Sequence, residues 1–251
     1  MSEIIKFMNK EILEISHISK VFFAKKEQKL VLDDISFGVR ENEIFGFIGL
    51  NGVGKTTLIK IILDLLDEEA GEIKIFGHNK VLPLARKKLC YLPEKFQPSP
   101  YLKGIEFLQF VLDFYDKKID LERVMMLCEN LDLNFKMLSQ KATKYSKGMT
   151  QKLGLIATLL TDADLIILDE PMSGLDPKAR INLKKELIKY KNSGKTIFFS
   201  SHILSDMDEI CDSIAVLNEA KIIFYGSPSE FKKEHDQDSL DKAFLKAIGV
   251  N

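Results

Sequence analysis

The run Gly49-Leu50-Asn51-Gly52-Val53-Gly54-Lys55-Thr56-Thr57 fits the spacing Gly-x-x-x-x-Gly-Lys-Ser/Thr. Glycines at that spacing let a backbone curl until its N–H groups converge on phosphate oxygens. Lys55 adds a full positive charge, and the Thr56 hydroxyl can ligate Mg2+. The segment before the loop, Glu43 to Ile48, is almost wholly apolar and suits a buried strand. The segment after it, Thr57 to Leu66, carries apolar residues at helical spacing. The loop therefore opens onto a helix N-terminus, whose partial positive charge favours anions. Strand, glycine loop and helix together predict a nucleoside triphosphate site held by Asn51, Gly52, Gly54, Lys55, Thr56 and Thr57.

A second constellation lies farther along. Leu165-Ile166-Ile167-Leu168-Asp169-Glu170 is an apolar strand ending in two carboxylates. Ligands gather at the carboxyl ends of strands in a parallel sheet. Asp169 is then placed to hold Mg2+ through water, and Glu170 to accept a proton from a water attacking the γ-phosphate. Asp-Glu in a surface turn would be solvated and inert. The apolar strand before this pair, with Pro171 and Ser173-Gly174-Leu175-Asp176 after it, sets it apart. Ser146 precedes a helical run, Lys147 to Leu160, and suits its N-cap. A helix start bearing Ser146 and Gly148 is a second candidate anion site.

The elements that must position these groups alternate. Strands are predicted at Glu11 to Ile18, Leu32 to Arg40, Glu43 to Gly49, Glu72 to Phe76 and Leu89 to Leu92. Apolar residues at helical spacing then run from about 103 to 160, first from Ile105 to Phe114 and next from Leu121 to Leu131. Strands return at Leu165 to Leu168 and Lys195 to Ser200. Ser213 to Leu217 and Lys221 to Tyr225 flank Asn218-Glu219-Ala220 as a hairpin. The pattern is an α/β core with a helical insertion between about 95 and 160.

Bulk composition bounds the rest. Hydrophobic residues make up 45% of the 251 residues, enough for a substantial core. Lys and Arg number 36 against 37 Asp and Glu, so no overall basic field points to nucleic acid. Cys90, Cys128 and Cys211 are odd in number and lack metal-ligand spacing, as expected of reduced thiols in a cytosolic protein. No apolar run approaches the ~18–20 residues that span a bilayer. Glu3, Lys6, Lys10 and Glu11 interrupt the N-terminal apolar pieces, which argues against a signal peptide. A membrane role would have to run through a partner.

In its motifs, taken in order, the chain resembles the ATP-binding cassette (ABC) ATPases from about residue 11 to the C-terminus. The Walker A loop is Gly49 to Thr57, and the Q-loop region is Tyr91-Leu92-Pro93-Glu94. The signature segment is Tyr145-Ser146-Lys147-Gly148-Met149, with Gln151 just beyond. Walker B is Leu165 to Asp169, followed by Glu170. The D-loop is Ser173 to Asp176, and His202 matches the switch histidine. The resemblance implies a P-loop ATPase core with an antiparallel β subdomain and an inserted helical subdomain. It implies a cassette over residues 11–233 and a C-terminal helical tail over 234–251.

What the resemblance implies about the site follows residue by residue. Phe22 or Phe23 stacks on adenine. Lys55 and Glu170 act in hydrolysis, and His202 contacts the γ-phosphate. Thr56, Asp169 and Glu94 face Mg2+. Ser146 and Gly148 reach the ATP held by a second subunit. The implied ligands are ATP and Mg2+. The implied partners are a second ATPase subunit, as a homodimer, and an integral-membrane permease, through which this chain is held in the cytoplasm, peripheral on the inner face of the membrane; nucleic acid is not among them.

Departures from the family pattern are informative. The usual Q-loop glutamine is Glu94, the first signature glycine is Lys147, and the usual signature glutamine is Met149. Such variants resemble bacterial exporter-type subunits that serve separate permeases, as does the helix-like ending Asp238 to Leu245. A soluble ABC ATPase acting on ribosomes or DNA is the first rival. It is disfavoured by the lone Gly-Lys-Thr loop and the modest helical insertion. A non-hydrolytic regulatory subunit is the second, and Lys55, Asp169, Glu170 and His202 together argue against it. No Asn-Lys-x-Asp element is present to read guanine.

Overall fold

A computed structural model describes residues 10–24 and 27–249. Glu3 and Lys6, weighed above in the argument about a leader, lie outside the described residues, as do the last two residues of the expected tail. In chain order the elements begin with β1 (Glu11–Ala24), β2 (Glu27–Arg40), β3 (Ile44–Ile48), α1 (Lys55–Ile62), β4 (Ala70–Ile75) and β5 (His78–Asn79). Then come α2 (Pro83–Arg86), β6 (Leu89–Leu92), α3 (Gly104–Asp113), α4 (Leu121–Asn130) and α5 (Lys147–Leu160). Next are β7 (Leu165–Asp169), α6 (Pro177–Asn192), β8 (Thr196–Ser201), α7 (Leu204–Ile210), β9 (Ser213–Asn218) and β10 (Lys221–Gly226). The helices α8 (Pro228–Glu234) and α9 (Leu240–Ala247) close the chain.

Two sheets carry the fold. The larger is six-stranded in the order β10-β9-β3-β8-β7-β6. Its β6, β7, β8, β3 and β9 run parallel, and only β10 turns back against β9. Alternation of side chains across a strand sends Ile44 and Ile48 to one core, and Phe45 and Phe47 to the other. Phe199 and Phe198 divide in the same way on β8, as do Leu168 and Ile167 on β7. A parallel sheet covered on both faces needs unbroken apolar strands. That is why the segments leading into the two candidate motifs contain almost no polar residues.

The smaller sheet is antiparallel, in the order β2-β1-β4-β5, and gives the β layer expected beside the core. Its Leu13, Ile15, Ile35 and Val39 pack in the same cluster as Phe45, Phe47 and the α1 residues Leu58, Ile59 and Ile62. The opposite cluster unites Leu108 of α3, Val124 and Leu127 of α4, and Leu153 and Ile156 of α5 with Ile166 and Phe199 of the sheet. Wholly buried phenylalanines such as Phe45 and Phe198 each contribute roughly 1.5–3 kcal/mol of hydrophobic stabilisation. The parallel register then determines where loops emerge. Ile48 lies opposite Ser201, and Asp169 lies opposite Ser200. The glycine loop, the two acids and His202 therefore all leave the sheet at its carboxyl edge.

Candidate active site

The glycine loop is tightly packed. Gly54 has φ +126°, and a Cβ there would sit 2.9 Å from the Val31 carbonyl oxygen. Both facts exclude a side chain, so the close approach of loop to β2 requires glycine. Lys55 follows and is almost fully buried. Its Nζ donates to the Gly49 carbonyl at 2.7 Å and to the Leu50 carbonyl at 3.3 Å, and lies 3.2 Å from Glu170 Oε1. The ammonium is thus clasped over the loop and aimed at the acid on β7's exit.

The two carboxylates are held differently. Asp169 accepts from the Thr56 hydroxyl at 2.8 Å through Oδ2, and from the Ser200 hydroxyl at 2.5 Å through Oδ1. Glu170 has φ +51°, a left-handed conformation that is uncommon for a long side chain. Its Oε2 lies 2.8 Å from His202 Nδ1. Its Oε1 is buried with no aligned hydrogen-bond donor, despite the nearby Lys55 ammonium. An acceptor with a free lone pair, steadied on one side by an imidazole and on the other by a cation, can receive a proton from water. Burial, followed by the charges of Asp169 and Glu94, pushes the Tyr91 phenol well up, so Tyr91 stays neutral beside these acids.

An open cleft of about 590 Å³ lies against the loop. Asn51, Gly52, Gly54, Lys55, Thr56 and Thr57 line it, with Glu94 and Glu170 on its acidic side. Phe22, Lys29 and Val31 of the small sheet and Lys95 complete the wall. Phe22 lines the cleft and Phe23 does not; Phe23 is largely exposed. The Lys20 ammonium lies 5.5 Å from the Phe22 ring centroid. Another cleft, about 540 Å³, opens at the amino-terminal ends of the strands beside Asn42, Asp164 and Thr196. It contains none of the candidate catalytic residues.

Ser146 caps α5 by accepting from the Met149 N–H at 3.2 Å. Neither Ser146 nor Gly148 lines the cleft of its own chain. Gly148 packs against the D-loop turn, where a Cβ would lie 3.1 Å from the Gly174 carbonyl oxygen. In the sequence Gln151 stands just beyond the signature segment with Lys152 beside it, and nothing there indicates their partners. Gln151 donates to the Pro171 carbonyl at 3.2 Å, directly after Glu170. Lys152, itself buried, donates to the Asp132 carbonyl at 2.9 Å and reaches Asp176 at 3.5 Å. Asp176 caps α6 by accepting from the Ala179 N–H, which, with Lys152, holds its carboxyl below the usual range. The start of α5 is thereby tied to the segment carrying the two acids.

The donors at the loop suit Mg2+. Thr56 Oγ1 and Asp169 Oδ2 already lie within hydrogen-bond distance of each other at the cleft edge. Among the described residues no cluster of three His, Cys, Asp or Glu ligands occurs. Mg2+ characteristically takes one or two protein oxygens plus phosphates and waters, so this sparse oxygen set fits it.

The sequence profile of the ABC transporter family matches residues 32–173, more than half of the chain. The chain belongs to the ABC transporter family. It is 36% identical over 223 residues to an uncharacterised ABC transporter ATP-binding protein of Synechocystis. That match covers 88% of this chain and 63% of the relative, so the chain spans just under two thirds of that relative's length. Among solved structures, an ATP-binding subunit of an ABC transporter superposes with TM-score 0.85 at 29% identity, over 94% of this chain and 99% of that one. The ABC cassette MJ0796, solved as a post-hydrolysis dimer bound to ADP and Pi, superposes with TM-score 0.77 at 20% identity, over 86% of this chain and 98% of that one. The second likeness concerns the fold. Among the described residues of this chain no helix is long and apolar enough to cross a membrane.

Proposed function

We propose that this chain binds MgATP in the cleft beside Gly49 to Thr57 and hydrolyses it, as the ATPase subunit of an ABC exporter. The observation that carries the reading is the bridging position of Glu170, between Lys55 at 3.2 Å and His202 at 2.8 Å. Lys55 and the loop N–H groups grip the β- and γ-phosphates. Thr56 and Asp169 would hold Mg2+, with Glu94 as a further candidate ligand. The metal supplies charge neutralisation at the phosphates. Glu170 takes the proton of the attacking water, and His202 orients that glutamate and contacts the γ-phosphate. An ATPase assay on the purified chain tests this. Tight MgATP binding without turnover, in the presence of a permease as well, would favour the non-hydrolytic regulatory reading instead.

Phe22 stacks on the adenine in this reading, because it lines the cleft and Phe23 does not. Stacking on an aromatic ring contributes roughly 1–3 kcal/mol per base and discriminates little among bases. Phe22→Ala should therefore weaken ATP binding by about fivefold to 150-fold, and the wild type should also accept GTP. Phe23→Ala should leave both affinities unchanged. Fluorescent-nucleotide titrations of the two variants check it; equal affinities for wild type and Phe22→Ala would remove the stacking role.

The working unit is a dimer in which Ser146 and Gly148 of one subunit close over the ATP of the other. Their position outside their own chain's cleft supports this, as does the dimeric form of MJ0796. The cassette spans residues 11–233, with a helical subdomain inserted at about 95–160, and 234–251 form a tail. It sits on the inner face of the membrane through a separate integral-membrane permease.

The segment Glu94 to Leu102 joins the phosphate-facing Glu94 to α3 and is placed beside that permease. Phe96 packs inward on Phe107, with ring centroids 5.5 Å apart. Tyr101 is 81% exposed, and Gln97 and Ser99 also face solvent. Cysteines at Gln97 or Ser99 should cross-link to cytoplasmic loops of the permease in an assembled complex. Consistent failure to do so would move the contact elsewhere.

A further inference from the structure

We propose that Ser200 is a positioning residue for the hydrolytic step, clamping Asp169 and Glu170 together so that one faces Mg2+ and the other faces water. This rests on the roles given to those two acids above. Ser200 lies on β8 between β3, which feeds the glycine loop, and β7, which ends in the acids. It is wholly buried and lies directly opposite Asp169 in the parallel register.

A serine hydroxyl has one proton and two lone pairs. Here the proton goes to Asp169 Oδ1 at 2.5 Å, the length of a strong bond to a carboxylate. A lone pair receives the Glu170 N–H at 3.1 Å, and the same N–H reaches the Ser200 carbonyl at 3.2 Å. With Oδ1 held from behind, Oδ2 is left to face Thr56 at 2.8 Å. The forked bond also braces Glu170 in its left-handed conformation, from which the side chain reaches Lys55 and His202. Such a conformation persists only where its surroundings over-determine it. Neighbouring Ser201 does a different job, since its hydroxyl accepts from the Ile203 N–H at 2.9 Å. An alanine at position 200 would keep the strand and the backbone bond to Glu170. It would remove the donor to a nearly inaccessible carboxylate oxygen and free Asp169 to rotate.

Partners that orient a metal ligand characteristically matter by about 10–100-fold in metal affinity or activity. Ser200→Ala should therefore lower kcat, and raise the Mg2+ concentration needed to tighten binding of a fluorescent non-hydrolysable ATP analogue, each by about 10–100-fold. Binding of the same analogue in EDTA should stay at the wild-type level, because the glycine loop is untouched. Ser200→Thr, which keeps the hydroxyl, should restore the Mg2+ response. Asp169→Asn serves as the reference. If Asp169→Asn shifts the Mg2+ response and Ser200→Ala does not, the clamp is wrong while the site reading stands. Equal loss of binding by Ser200→Ala with and without Mg2+ would make the residue merely structural, and a threonine variant as impaired as alanine would remove the hydroxyl as the cause. An unchanged Mg2+ response in Asp169→Asn would overturn the site reading, and the clamp with it.

Discussion

Glu170→Gln should bind MgATP and turn it over slowly, with kcat reduced by about 10²–10⁴, the range expected on loss of a general base. Glutamine keeps the size of the side chain. Its amide can still meet His202, now 2.8 Å from Oε2, and its carbonyl can still face the Lys55 ammonium. What disappears is the basicity of Oε1, the buried oxygen with no aligned donor of its own. With hydrolysis slowed, ATP remains bridged between Lys55 and the loop of one subunit and Ser146 and Gly148 of the other. The variant should then shift from monomer to dimer on adding ATP and revert with ADP, which lacks the bridging γ-phosphate. Single-turnover kinetics and light scattering read the two effects separately. Near-normal turnover would take Glu170 out of the base role and leave His202 or Glu94 as the next candidates. A variant that stays monomeric with ATP would point to a different partner, or to a permease needed for closure.

The parallel core was legible because its chemistry is one-dimensional. A strand covered on both faces must be apolar throughout, so β3, β6 and β7 stand out as runs, and β6 falls at Leu89 to Leu92 as expected. Caps were legible for a similar reason, since Ser146 needs only its own helix to act. The outer strands were less so. The expectation ended one strand at Ile18 and began the next at Leu32, whereas β1 runs on to Ala24 and β2 begins at Glu27. Phe22, Phe23, Lys29 and Leu30 are exposed there, and the strands are held by pairing such as Phe22 with Lys29, which no local apolar pattern reports. The first helix also starts two residues earlier than expected, at Lys55, because glycine-loop geometry rather than periodicity sets its first turn.

The site shows the same division. Phe22 and Phe23 were indistinguishable in sequence because the alternation of a strand does not say which of two neighbours faces the loop, and the position of β1 puts Phe22, not Phe23, on the cleft wall. In the sequence Ser200 was simply the end of a predicted strand, two residues before His202. Its partners appear only when β7 and β8 pair in a register that sets it beside Asp169. Lys152 looks like a solvated charge on an amphipathic helix until α5 is set against the ends of α4 and α6. Motif spacing thus identifies the residues that line the cleft, while the residues that hold those residues depend on strand register and helix packing.

Lys55→Ala should abolish productive ATP binding while leaving the fold in place. The side chain sits at the centre of the loop, bonded to the Gly49 and Leu50 carbonyls and facing Glu170. Its cation offsets the β- and γ-phosphates, and truncating one partner of a buried, hydrogen-bonded charge pair costs about 2–5 kcal/mol. That corresponds to a loss of about 30-fold to several-thousand-fold in ATP affinity. Glycine-loop geometry does not depend on the ammonium, since Gly54 is held by its close approach to the Val31 carbonyl and by its positive φ. Circular dichroism should therefore match the wild type. The loss should be larger for ATP than for ADP, because only ATP places a γ-phosphate under Nζ. Arginine is not a conservative replacement, since its broad planar fork does not match a compact ammonium held between two adjacent carbonyls; Lys55→Arg should also fail to hydrolyse ATP. Calorimetric titration of both nucleotides into both variants reads this directly. Wild-type turnover by Lys55→Ala would mean that the Walker A assignment, and the cleft built on it, is wrong.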